Sequence, residues 1–202
     1  MNKTVEYDLP DLTVLKGRPS KQLFAWRPRK TYVVLGRANK AEASLTEAAL
    51  IDNSLIITKR PSGGESVILS PKMIGIAVLL PVIKGLKSRD YFLAVNDAII
   101  NELKLYGVKN LTTKGISDIS IGEKKIMGSS VYRTRETVFY HAVLNVSEDI
   151  DLISKYLKHP TREPDYRKGR KHGDFVTSLH QAGYKIDIEE LKASLNGAMV
   201  LV

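Results

Sequence analysis

Short apolar runs rich in β-branched residues, separated by turn residues, fill the stretch 23–82: LFAW (23–26), TYVVLG (31–36), SLIITK (54–59), ESVILS (65–70) and MIGIAVLLPV (73–82). Runs of this length bounded by Gly, Pro, Ser and Asn predict strands. The period then changes. Phe92, Val95, Ile99, Leu103 and Tyr106 recur every three or four positions, which predicts one long amphipathic helix. Ser88 offers its N-cap, Asp90 sits in its first turn and Gly107 supplies the stop. That helix must lie across a sheet. Downstream, ISDISIGEKKIMGSSVY predicts a hairpin turning at Gly122-Glu123, and ETVFYHAVLNV (136–146) predicts a further strand. Helices are expected near 149–157, 174–182 and 187–197, and no clear helix precedes Leu23. Strands first and helices last, with one helix between, indicate an α+β fold of mixed sheets packed by helices rather than an alternating parallel sheet.

The 202 residues are expected to form a single domain, 1–202, and a chain that is 43% apolar and 26% charged is not disordered. The absence of cysteine excludes a disulfide scaffold, a thiolate metal site and a covalent thioester intermediate. Four histidines show no metal-ligand spacing, which makes zinc chemistry an unpromising reading. The polar start MNKTVEYDLPDL and the brevity of the run Ile74–Ile83 predict a soluble cytoplasmic protein with no membrane partner. The net charge of +9 is unevenly placed, with eight basic residues and no acid in 16–41, and seven against two in 155–171. Such patches suit nucleic acid, a polyphosphate ligand or an acidic protein partner, and a solvated charged face is the plain alternative. The stretch 159–172 reads as an exposed basic loop.

Three constellations could carry chemistry. In KRPSGGES, paired glycines between two strands let backbone N–H groups converge on an anion, although a hairpin turn alone also explains them. Asp118 and Lys125 stand on the two arms of the hairpin, with Gly128, Ser129 and Ser130 after the lysine. This pair could meet a nucleotide and its metal, or form a cross-strand ion pair. His141 lies within an apolar strand, where a hydrogen-bonded core role competes with a site-lining one. G-x-S-x-G, P-loop and dinucleotide motifs are all missing.

Taken in order, LFAWRPRKTYVVLGR, KRPSGGESVIL, GISDISIGEKKIMGSS and FYHAVLNV resemble the catalytic domain of the lipoate-protein ligase family, within the biotin/lipoate ligase superfamily. The resemblance runs from about Leu23 to Leu179. It implies that ATP and lipoate, or a related medium-chain acid, are joined to an acyl-adenylate before the acyl group passes to a lysine of a lipoyl acceptor domain. Arg60, Ser62, Gly63 and Gly64 fall on the family's R-x-S-G-G-G loop, which with Ser66, Val67, Gly128, Ser129 and His141 would line the lipoate and adenylate site. Lys125 falls on the lysine that contacts the carboxylate and α-phosphate, and Asp118 would position magnesium or the incoming lysine.

Two departures stand out. Glu65 replaces the third glycine of that loop and Leu69 a histidine found in many members. The sequence ends at Val202, where long ligases continue into an accessory domain, so a small separate protein is expected to supply it. Arg167 and Arg170, with the stretch 16–41, are expected to dock an acidic lipoyl domain rather than nucleic acid. Octanoyltransferase chemistry is discounted for want of a cysteine. A biotin-protein ligase-like enzyme and a non-catalytic basic binding module remain the alternatives.

Overall fold

The computed structural model describes residues 4–202. Among them, six strands form one sheet in the order β1 (Phe24–Trp26), β5 (Met73–Pro81), β9 (Thr137–Asn145), β8 (Lys124–Arg133), β7 (Asp118–Ile121) and β6 (Leu111–Lys114), antiparallel throughout. A smaller sheet places β2 (Tyr32–Leu35) between a parallel β3 (Ile56–Lys59) and an antiparallel β4 (Val67–Leu69). The class is α+β, as the grouping of elements in the sequence predicts.

Side chains alternate across the large sheet, so its faces differ. The back face presents Ile76, Val78, Val138, Tyr140 and Leu144, and α4 (Ser88–Leu105) buries them with Tyr91, Phe92, Val95, Ile99 and Leu103. The apolar stripe of the sequence is therefore the stripe that covers the sheet. Leu191 and Leu195 of α7 (Ile188–Gly197) extend the same layer. Behind the small sheet, α2 (Ala41–Ser44), α3 (Glu47–Ile51) and α5 (Ile150–Tyr156) close a second cluster, in which Leu45, Ala49 and Tyr156 meet Val33, Leu35 and Ile57. The front face of the large sheet is left for other use.

Several elements differ from their sequence expectation. A one-turn helix, α1 (Asp11–Leu15), precedes Leu23 and sets Val14 and Leu15 on Ala77, Leu79 and Phe139. Five residues are too few to display a helical period, and the same holds for α2 and α3. Ser88 is the first helical residue rather than the cap; Asp90 accepts from the backbone N–H of Lys87 at 2.7 Å. Gly107 does end the helix, at a left-handed φ of 77°. The hairpin has a third strand, β6. The helix expected over 174–182 is only α6 (His172–Phe175). Beyond it Thr177, Leu179 and His180 donate their N–H groups to the carbonyls of Lys125, Asn145 and Val146, which a continuing helix would forbid. Among the described residues no helix is long and apolar enough to cross a membrane.

Candidate active site

Between the front face of the large sheet, the small sheet and the segment 158–172 lies a cavity of about 1090 Å³. Asp118, Gly128, Val143, Gly75 and Trp26 are successive cross-strand partners, so they form one row along its floor. Two glycines flank Val143. A Cβ on Gly75 would stand 2.4 Å from the Trp26 indole, and one on Gly128 would stand 2.7 Å from Lys125 Nζ. The sheet is thus bare at two points, one roofed by a cation and the other by an indole. Two inter-strand spacings, about 10 Å, separate these two points. Trp26, Val34, Leu69, Met73 and Val143 make the far end apolar.

Lys125 reaches this floor through a bulge. The register is Ser120 to Lys125 and then Ile119 to Met127, which leaves Ile126 as the extra residue. Strict alternation would put Lys125 and Gly128 on opposite faces, whereas the bulge puts both on the cavity side with Asp118. Lys125 Nζ pairs with Asp118 Oδ1 at 2.9 Å, and the Tyr166 hydroxyl donates to Asp118 Oδ2 at 2.8 Å. Burial and the Asp118 charge hold the Tyr166 phenol well above its ordinary pKa, so it stays a donor. Ser129 donates to the Ser117 carbonyl at 2.6 Å and anchors β8 to the turn before Asp118.

The glycine loop is wrapped around Arg60. This side chain is 6% exposed, and its guanidinium donates to the carbonyls of Val34, Gly63 and Glu65 and, through Nε, to Ser62 Oγ at 3.0 Å. Arg60 therefore builds the loop from within while still bordering the cavity, most of its donors being taken up by the loop itself. Burial lowers its pKa to about 10, against the opposing influence of Tyr7, Glu65 and Asp11, so it remains a cation at neutral pH. Gly63 and Gly64 are exposed, Gly64 at φ 88°, and Ser66 and Val67 also line or border the cavity. Gly36 supports the loop from behind, where any Cβ would meet the Gly64 carbonyl at 1.9 Å.

Ser62, 1% exposed, contacts His141 Nε2 at 2.5 Å, and His141 Nδ1 lies 2.9 Å from Asp11 Oδ2. Tyr7 completes the chain by donating to both oxygens of Asp11, at 2.9 and 2.7 Å. Nδ1 faces a carboxylate, which accepts, so the neutral imidazole is assigned its proton on Nδ1 and accepts from Ser62 at Nε2, while Ser62 Oγ accepts from Arg60 Nε. Burial pulls the His141 pKa below its ordinary value, opposed by Asp11, which favours this neutral form. The order Ser, His, Asp resembles a nucleophilic triad, but a sealed hydroxyl that already accepts from a guanidinium holds a loop rather than attacks a substrate. Tyr7 and Asp11 had no sequence signal, since only the packing of α1 brings them to β9.

The segment 158–172 is largely exposed, as its composition suggests, and it also forms a wall of the cavity. Glu65 accepts from the Arg162 N–H at 3.2 Å and Thr161 Oγ at 3.4 Å, which explains how a carboxylate is accommodated beside an anion site: it points at the segment and ties it down. Arg170 donates to the carbonyls of Arg167, Glu123 and Tyr166. Arg167 is 4% exposed and lines the cavity. Arg167 is buried and Arg170 half-buried, so a docking role for these two would rest on little exposed side chain.

Magnesium does not fit these residues as a resident ion. Both Asp118 oxygens are engaged by Lys125 and Tyr166, and among the described residues no three acidic or histidine side chains converge on a common point.

Comparison with known proteins matches the lipoyl protein ligase A/B catalytic domain to residues 12–200. Lipoate-protein ligase A of Psychrobacter cryohalolentis is 30% identical over 145 residues, which are 71% of this chain and 40% of that protein. Lipoate-protein ligase A subunit 1 of Thermoplasma acidophilum is 25% identical, over 63% of this chain and 52% of the relative. The chain thus spans about half the length, or less, of these curated relatives. In structure, the bi-partite lipoate protein ligase of Thermoplasma acidophilum superposes with a TM-score of 0.72 at 23% identity, covering 86% of this chain and 67% of that one. An ATP-bound lipoate-protein ligase A gives 0.71 at 22% identity, covering 86% and 68%. With the match running over nearly the whole length, this chain belongs to the lipoyl protein ligase A/B catalytic-domain family.

Proposed function

We propose that the chain is the catalytic part of a lipoate-protein ligase: it activates lipoate, or a related medium-chain acid, with ATP and passes the acyl group to a lysine of a lipoyl acceptor domain in the cytoplasm. The observation that carries this reading is the two-ended floor, cationic at Lys125 and apolar at Trp26, which suits an amphiphilic acid lying with its carboxylate at Lys125. Solved relatives described as bound with ATP and as a bi-partite ligase with its lipoyl domain support it.

In the first half-reaction a carboxylate oxygen of the acid bonds to the α-phosphorus of ATP, and the bond to pyrophosphate breaks. In the second, the acceptor amine bonds to the acyl carbon, AMP leaves and the amine loses a proton. Negative charge gathers at phosphoryl oxygens in the first step and at the acyl oxygen in the second, and the Lys125 ammonium, aimed by Asp118, stabilises both. Exposed backbone of Gly63 and Gly64 offers further donors. Asp118 positions Lys125; no step is assigned to magnesium.

A second component, like the one implied by the subunit naming of the Thermoplasma relative, is expected to speed activation more than transfer. The test is intact-mass measurement of a lipoyl acceptor domain incubated with the chain and either ATP plus lipoate or synthetic lipoyl-adenylate. Acylation of one lysine from the synthetic adenylate supports the reading. An unmodified acceptor in both mixtures refutes it.

A further inference from the structure

We propose that Arg167 is a phosphate-binding residue, holding the pyrophosphate end of the nucleoside triphosphate while the acid is activated. The inference rests on the ligase reading and adds a residue to it.

Arg167 belongs to a run of seven basic residues, yet it is 96% buried and lies on the cavity wall. Its Nε donates to the Arg170 carbonyl at 3.0 Å, with Glu163 3.4 Å away. Its Nη2 is one of two buried side-chain polar atoms among the described residues with no hydrogen-bond partner. A buried guanidinium nitrogen without an acceptor is an arrangement folded proteins rarely keep for stability alone. An acceptor brought by a ligand completes it.

The surroundings indicate an anion. The Arg167 guanidinium sits 4.8 Å and that of Arg170 5.2 Å from the Phe175 ring centroid, so the second cation buttresses the first. Arg170 is itself held by three backbone carbonyls, which use three of its five N–H donors. Burial, and then the charges of Arg167, His159 and Lys125, lower the pKa of His172, so this imidazole is a neutral neighbour on a cavity wall to which Arg167 and Lys125 bring the cations. The path between the two ends is continuous: Lys125 pairs with Asp118, Asp118 accepts from Tyr166, and Tyr166 precedes Arg167 in the chain. A triphosphate with its α-phosphorus at Lys125 then extends toward Arg167. For a phosphate to reach the buried Nη2 the wall at residues 159–165 has to open, and its ties to Glu65 there are the contacts of Arg162 and Thr161 at 3.2 and 3.4 Å.

A guanidinium presents paired N–H donors matched to phosphate oxygens. When the carboxylate bonds to the α-phosphorus, the electron pair of the breaking P–O bond goes to pyrophosphate, where Arg167 neutralises it. The acyl-adenylate has no such group, so transfer to the acceptor never meets Arg167.

That asymmetry supplies the test. Titration calorimetry with inorganic pyrophosphate, and both half-reactions, are compared for wild type, Arg167→Gln and Arg167→Lys. Arg167→Gln should weaken pyrophosphate binding at least about tenfold and lower ATP-dependent pyrophosphate release about a hundredfold, with Arg167→Lys between it and wild type. Transfer from synthetic lipoyl-adenylate should stay within about threefold of wild type, which also shows the cavity intact. Unchanged pyrophosphate binding, or equal loss of both half-reactions, would overturn the proposal, and loss of transfer alone would return Arg167 to acceptor docking. A wild type that binds pyrophosphate through Arg167 but forms no adenylate from any acid would instead refute the ligase reading.

Discussion

Replacing Lys125 by methionine separates what this residue does for the fold from what it does for the reaction. From composition alone an exposed hairpin lysine matters little to stability, but here its partner Asp118 has a side chain only 6% exposed. Removing the cation leaves a buried carboxylate with Tyr166 and Ser117 as its remaining donors. Breaking a fully buried pair costs about 3–5 kcal/mol. Lys125 is 27% exposed, so solvent screens the pair and about 1–2 kcal/mol is the appropriate figure. For a domain of this size that lowers the melting temperature by roughly 5 °C. The double variant Lys125→Met with Asp118→Asn, a neutral pair of similar shape, should recover most of the loss. Activity should not follow. Loss of one preorganised charge contact costs about 3 kcal/mol or more, about a hundredfold in adenylate formation, in both variants. Thermal melts and pyrophosphate release on the same preparations test both halves. A single variant as stable as wild type would refute the pairing, and a double variant that regains activity would remove Lys125 from the mechanism.

Further expectations attach to other parts of the site. Gly128→Ala places a Cβ 2.7 Å from Lys125 Nζ; because a flexible side-chain end can yield, the melting temperature should barely change while adenylate formation falls at least about tenfold. Gly64→Val demands a β-branched residue at φ 88° with Arg60 Nη2 3.0 Å from its Cβ, so calorimetry should show lost ATP binding. His141 has a folded pKa below its ordinary 6.5, so its contribution to stability is present above that value and is lost as pH falls toward the folded value. Denaturant melts between pH 7 and 4 should therefore lose stability less steeply in His141→Gln than in wild type. Charge reversal at the exposed Lys16 and Arg18 should slow transfer to an acidic acceptor at low salt and spare activation, and equal rates at every salt concentration would exclude docking there.

The elements legible in the sequence are those with enough residues to show a period. The stripe of α4 and the long strands β5 and β9 were readable for that reason, and one-turn helices were not. Lys125, Asp118 and the glycine loop were legible as residues, but their geometry was not. The bulge at Ile126 that turns Lys125 onto the floor leaves no mark in KKIMGSS, and the inward turn of Arg60 depends on where Val34, Gly63 and Glu65 aim their carbonyls. The burial of Arg167 is not legible because a run of charge says nothing about whether the backbone folds it over a cavity. Asp11, to which Tyr7 donates, meets His141 across 130 residues of chain, and no local pattern carries a contact of that kind.

The central claim is that this cavity activates a carboxylic acid with ATP, and ATP–pyrophosphate exchange measured across a panel of acids tests it most directly. Labelled pyrophosphate should enter ATP only when lipoate or an acid of similar length is present, and Lys125→Met should abolish the exchange. Exchange that ignores the acid, survives in Lys125→Met or is absent with every acid would contradict the account.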